Sequence, residues 1–259
     1  MKILGYLFLF LVAFVVTIVW KFPAAGVLPH VNINPVSVVG VSGSIWSGKA
    51  SQITAPSAPL PLNNVAWRFQ PQSLLNGQTA ANLDFEVLGG EGSGNVARSF
   101  SGNLTVTDGK FNVNAANLSQ LLPLPVADFG GTVIADIESL SLENNLLTET
   151  QGTVIWRQAR VTGLVEAQLG QVVFDVEPKA IDGKPAHIGK ITNTDGDLDI
   201  NGDFQIDLNG NYRADIKLKP TASASAGLNG ILGSLGPVAK RESDGSYRIR
   251  NNGNIRNLM

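Results

Sequence analysis

The chain has 259 residues, of which 15% are charged and 44% apolar, with a formal charge of −2, 28 glycines, 13 prolines, two histidines and no cysteine. So few charges exclude a coiled coil, and the ample apolar content excludes a disordered chain. Without cysteine there is no zinc ribbon, iron–sulfur cluster, disulfide or thiol chemistry, and without a positive surplus there is no general nucleic-acid binder.

Ile3–Trp20 is an unbroken apolar run flanked by Lys2 and Lys21. Its eighteen residues make a helix of about 27 Å, close to the roughly 30 Å of a bilayer core. The run predicts a transmembrane anchor over residues 1–21, its amino terminus cytoplasmic, with Trp20 at the interface. The competing reading is a cleaved export signal. The run is longer than the usual signal core and ends in Trp-Lys-Phe-Pro, although Ala24 and Ala25 stand close by. Residues 22–39, which include His30, read as a juxtamembrane linker. Residues 40–259 read as a periplasmic β-rich domain.

After residue 21 the pattern is one of short alternating segments bounded by Gly, Asn, Asp or Pro. Asn209-Gly210 stands between two alternating runs, Leu198–Leu208 and Tyr212–Leu218, and predicts a hairpin. Asp108-Gly109, between Leu104-Val106 and Phe111-Val113, predicts another. Further strands are expected at 81–87, 132–138, 153–161, 171–176 and 246–250. Short helices are expected at 115–122 and 226–235. The fold class is therefore mainly β, an extended, curved antiparallel sheet with a few short helices behind the N-terminal anchor.

Two segments resemble one another: Gly43-Ser44-Ile45-Trp46-Ser47-Gly48-Lys49-Ala50 and Gly152-Thr153-Val154-Ile155-Trp156-Arg157-Gln158-Ala159. They suggest two related halves, about 40–128 and 129–259. The alternative is that each Trp simply opens a strand.

Little in the chain has the look of catalysis. His187 reads as a loop or strand-edge residue, and no Gly-x-Ser-x-Gly elbow accompanies it. Asp197-x-Asp199-x-Asn201-Gly202 resembles the opening of a calcium loop but has Leu208 where a bidentate Glu is needed. A polar strand face with a turn at Gly202-Asp203 is the preferred reading there. Gly89-Gly90-Glu91-Gly92-Ser93-Gly94 reads as a hairpin tip, since no Gly-Lys-Ser/Thr follows. Near the carboxyl end Lys240, Arg241, Arg248, Arg250 and Arg256 outnumber Glu242 and Asp244. They read as a solvated strand face or as a docking patch for an acidic partner or anionic headgroups.

The order of motifs is recognisable. The apolar run precedes Val39-Gly40-Val41-Ser42-Gly43-Ser44-Ile45-Trp46-Ser47-Gly48-Lys49-Ala50, then Val65-Ala66-Trp67-Arg68-Phe69 with Pro71 and Leu74-Leu75. Gly152-Thr153-Val154-Ile155-Trp156 follows midway. Leu232-Gly233-Ser234-Leu235-Gly236 and Asp244-Gly245-Ser246-Tyr247-Arg248-Ile249 close the series. Together these resemble the protein N family of the bacterial type II secretion system. The resemblance implies a single-pass inner-membrane protein with its bulk in the periplasm, serving as a non-enzymatic accessory component without a cofactor. It implies other secretion subunits as partners, and a fold related to β-rich envelope proteins of the AsmA group. The alternatives are an envelope lipid-binding protein with an apolar sheet groove and a hydrolase using His187.

Overall fold

A computed structural model describes residues 23–24, 36–54, 60–118, 127–143, 146–163, 166–181, 184–234, 236 and 238–254. The expected anchor, His30, most of the linker and Arg256 lie outside the described residues. Among the described residues no helix is long and apolar enough to cross a membrane.

The chain divides into two compact units, the first ending at Val87 and the second starting at Leu88. The first contains strands β1 (Ser37–Val39), β2 (Ser42–Gly43), β3 (Ser47–Thr54), β4 (Leu62–Phe69) and β5 (Gln78–Val87). β1, β3, β4 and β5 are neighbours in that order, with β2 also paired to β3. A 3₁₀ turn, Pro71–Asn76, links β4 to β5 and ends at Gly77 in the left-handed conformation. Trp67 packs so close to Gly48 that a Cβ there would lie 2.4 Å from its ring. The Trp67 indole N–H donates to the Ile45 carbonyl at 3.2 Å.

The second unit contains β6 (Gly90–Ser99), β7 (Leu104–Asn114), α1 (Ala115–Leu118), β8 (Ala127–Glu143) and β9 (Leu146–Gly163). It continues with β10 (Ala167–Ile181), β11 (Lys184–Thr194), β12 (Leu198–Asp207), β13 (Asn211–Pro220), α2 (Ala226–Ser234), β14 (Ala239–Arg241) and β15 (Tyr247–Asn254). β6 to β13 lie side by side in chain order. β15 then pairs with β13, and β14 takes the outer edge. All the pairings are antiparallel. The expected mainly antiparallel β fold is thus observed; the strands expected at 81–87, 132–138, 153–161 and 171–176 lie within longer ones, and the one expected at 246–250 begins a residue later, at Tyr247.

Register turns one face of this sheet apolar. Ala135, Val154, Phe174 and Ile191 stand opposite one another across β8 to β11, and Ile216 stands opposite Ile249 across β13 and β15. Helix α2 covers this face at one place only. Leu228 and Leu232, four residues apart, share a buried cluster with Ala167, Leu198, Ile200, Ala239 and Tyr247. Burying each leucine is worth about 2 kcal/mol. The Ser225 hydroxyl accepts the Leu228 N–H at 3.1 Å and starts the helix.

Several expectations need correction. Asn209-Gly210 does close the β12–β13 hairpin, but Asp108-Gly109 is no turn. β7 runs straight through it, and on the β6 side the pairing slips between Thr107 and Lys110, while the β8 register stays continuous. Asp108 takes a φ of 52° at this bulge. The left-handed tolerance of Asp, which suits a hairpin turn, suits a bulge equally well. Gly202-Asp203 is likewise inside β12, paired with Ile216 and Asp215. The glycine is there for space, because a Cβ would stand 2.9 Å from Ile191 and from Ile216. Of the glycine-rich run, only Gly89 lies in a turn, with Leu88; Gly90 onward is strand. The expected helix at 115–122 is described only as Ala115–Leu118, and the rest lies outside the described residues.

The two Trp elements differ locally. Trp46 sits between β2 and β3, whereas Trp156 lies inside β9. Each ring rests on a phenylalanine, Trp46 on Phe69 at 5.3 Å and Trp156 on Phe129 at 5.9 Å.

Candidate functional site

His187 is not the loop or edge residue expected from the sequence. It lies inside β11 between Pro178 of β10 and Ile206 of β12, and is 2% exposed. Its Nε2 stands 3.3 Å from the Leu147 carbonyl oxygen. Burial leaves the ring no route to a substrate, so a hydrolase built on it has no support in the geometry.

The Asp-rich segment is a structural corner. The Asn193 amide donates to the carbonyls of Leu169 at 2.8 Å and Leu198 at 2.7 Å, and its oxygen accepts the Ile200 N–H at 2.7 Å. One side chain thus ties together β10, β11 and β12. Asp197 accepts the Gln168 N–H at 2.8 Å. Among the described residues no group of three or more His, Asp or Glu is placed to hold a metal.

The carboxyl-terminal cations are the remaining candidates, and the register arranges them. On β15, Arg248 and Arg250 are two residues apart and share a face, while Ile249 faces the core. On β13, Lys217 stands opposite Arg248 and Asp215 opposite Arg250. Two cations directly opposed would repel, and three carboxylates prevent it. Arg248 grips Asp215 with two bonds, Nε to Oδ1 at 2.6 Å and Nη2 to Oδ2 at 2.8 Å. Its Nη1 reaches Glu242 at 3.4 Å. Lys217 donates to Asp244 at 2.8 Å and stands 3.5 Å from Glu242. Arg250 adds a 3.0 Å bond to Asp215.

The β14–β15 turn holds these carboxylates in place. Gly245 donates its N–H to the Glu242 carbonyl at 3.1 Å and takes a φ of 81°. The fully buried Ser246 gives Asp244 both its hydroxyl, at 2.5 Å, and its backbone N–H, at 3.1 Å.

Electrostatics follow the geometry. The Arg248 hydrogen bonds hold the Asp215 carboxyl down at about 2, against a partial penalty from burial and with help from Arg250. Lys217, then Ser246, holds Asp244 well below the carboxylate range. For Glu242 burial opposes ionisation, but Arg248 and Lys217 outweigh it and the group is lowered. Asp215 and Asp244 raise Arg248 and Lys217, respectively. These groups keep their charges throughout the neutral range. The arrangement suits fixed charge recognition, not proton transfer.

The candidate patch therefore divides. Arg248 is committed to the ion-pair network, and Arg250 is joined to it but remains exposed. Arg241 lies over the Tyr247 ring, 5.9 Å from its centroid. Among the described residues no carboxylate stands within ion-pair distance of Lys240 or Arg241. An open groove of about 770 Å³ runs along this edge, from Gly236 and Val238 past Lys240 to Arg250. Sequence reading missed Asp215 and Lys217, which lie on β13 some thirty residues upstream of their partners. Their place in the alternation of β13 was the one available signal.

The fold and site thus define a mainly antiparallel β protein with a charged edge. A family model, type II secretion system protein N, matches residues 34–250. The chain belongs to that family. A relative from Vibrio cholerae serotype O1, named type II secretion system protein N, is 26% identical over 184 residues, covering 67% of this chain and 70% of its own. No solved structure matches the chain.

Proposed function

We propose that the chain is a non-enzymatic accessory component of type II secretion, held at the inner membrane by residues 3–20. In this reading residues 22–39 are a linker, and residues 40–259 are a periplasmic domain that docks other secretion subunits. The observation that carries it is the family match over residues 34–250. The apolar run supports the anchor by its length and flanking lysines. The two Trp elements support the idea of related halves near 40–128 and 129–259. The test is co-purification of the tagged full chain from detergent-solubilised envelopes. Enrichment of other secretion subunits over an unrelated inner-membrane protein is the expected result; equal recovery of both contradicts the docking role.

A second reading, an envelope lipid-binding protein, is favoured by one observation. Val154, Phe174, Ile191 and Ile216 lie on the apolar face of the second unit yet remain only half-buried. Extraction of the purified chain followed by mass spectrometry tests it. A stoichiometric lipid supports it, and a lipid-free preparation counts against it.

A further inference from the structure

β14 covers only part of the outer edge of β15. It pairs with Tyr247, Arg248 and Ile249, whereas β13 pairs with β15 along its whole length. Among the described residues no strand stands beside Arg250, Asn251, Asn252 or Gly253 on the outer side. Phase is set by the Glu242 N–H, which donates to the Ser246 carbonyl at 2.8 Å. Backbone groups alternate along an antiparallel strand. Ser246 and Arg248 therefore aim theirs at β14, and Arg250 and Asn252 aim theirs past its end, into open space. A strand edge of this kind is a template for one more strand.

We propose that this edge receives an extended segment of a partner protein in which acidic and apolar side chains alternate. The choice of occupant follows from charge and from the two faces. On the charged face the new strand meets Arg250, 66% exposed on its side chain, and Lys240, the middle residue of β14. Arg213 lies one strand further in, opposite Asn252. The groove beside the edge is lined by four cations and two carboxylates, and those carboxylates are already bound to Arg248 and Lys217. A second copy of this chain would bring the same cations against themselves, which disfavours self-pairing. On the other face Gly253 presents no side chain and lies over the Tyr212 ring, which stacks on Phe204 at 6.1 Å. An apolar side chain of the new strand would cover that ring edge.

The proposal deepens the docking role and rests on it. The probe is a fluorescent eight-residue peptide of alternating Glu and Val, titrated into the detergent-solubilised full chain. The expected result is saturable binding that weakens with salt and falls at least tenfold in Asn252→Pro, which removes an outward N–H and leaves the β13 ladder intact. Lys240→Glu with Asn252→Glu is the second variant; it reverses charge without touching an ion pair and should abolish binding. No binding, equal binding of a Lys-Val peptide, or binding unchanged in both variants overturns the proposal. Each variant is also placed in a strain lacking the chain. If deletion stops secretion while both variants restore it fully, the edge proposal fails and the secretion role stands.

Discussion

Arg248 and Asp215 form a two-pronged ion pair across neighbouring strands, at 2.6 and 2.8 Å, although 33 residues separate them in sequence. The pair fixes β15 against β13 and leaves the open edge beyond it with positive charge to spare. Replacing Asp215 by Asn leaves Arg248, Arg250 and Lys217 with less compensation. The urea midpoint should fall at low salt, and the difference from the native chain should shrink in 1 M salt, where the Debye length is about 3 Å. A midpoint equal to that of the native chain at low salt would remove the pair from the account.

The same network fixes the sign of a pH effect. Asp215, Glu242 and Asp244 all have lowered folded-state values. The unfolded chain therefore binds more protons than the folded one as pH falls through the carboxylate range. Their contribution is complete above the unfolded carboxyl range, near pH 4 to 5. It declines as pH falls toward about 2, the value of folded Asp215. Urea midpoints measured from pH 7 to 3 should fall, and Asp215→Asn should flatten part of that fall.

Asn193 offers a test of structure against metal binding. Asn193→Ala frees two carbonyls and one N–H at the β10–β12 corner, and should cost about 1–3 kcal/mol by urea denaturation. Calorimetry with calcium on the native chain should give no heat at millimolar ion. A calcium-dependent rise in stability would reassign the corner as a metal site.

Leu232→Ala should cost about 2–5 kcal/mol, because a 3%-exposed leucine leaves a cavity between α2 and the sheet. Gly170→Ala should also destabilise, because φ is 71° and a Cβ would lie 1.8 Å from the Thr194 carbonyl oxygen. Thermal unfolding of the two variants separates lost packing from the backbone clash: Leu232→Met, which keeps most of the side-chain volume, should cost far less than Leu232→Ala, whereas Gly170→Asn carries the same Cβ as Gly170→Ala and should stay destabilised.

Much of the fold was legible because local chemistry and fold agreed. Asn209-Gly210 between alternating runs became the hairpin expected, and Leu228 with Leu232 became the buried stripe of a short helix. Asp108-Gly109 misled because a bulge and a turn ask for the same residue types, and strand continuity is decided by partners far along the chain. The candidate site was half legible. Counting charge near the carboxyl end found Arg248 and Arg250 but not Asp215 and Lys217, since only the β13–β15 register brings them together. His187 misled because neighbouring Pro185 and Asp182 look like loop residues, while its burial comes from β10 and β12.

The most direct test of the secretion role is the ratio of secreted to cell-retained exoprotein in a strain lacking this chain, with and without the full chain restored. The account predicts that deletion lowers the ratio at least tenfold and that the restored chain returns it. Normal secretion in the deletion strain, with the other secretion subunits at their usual levels, would contradict it.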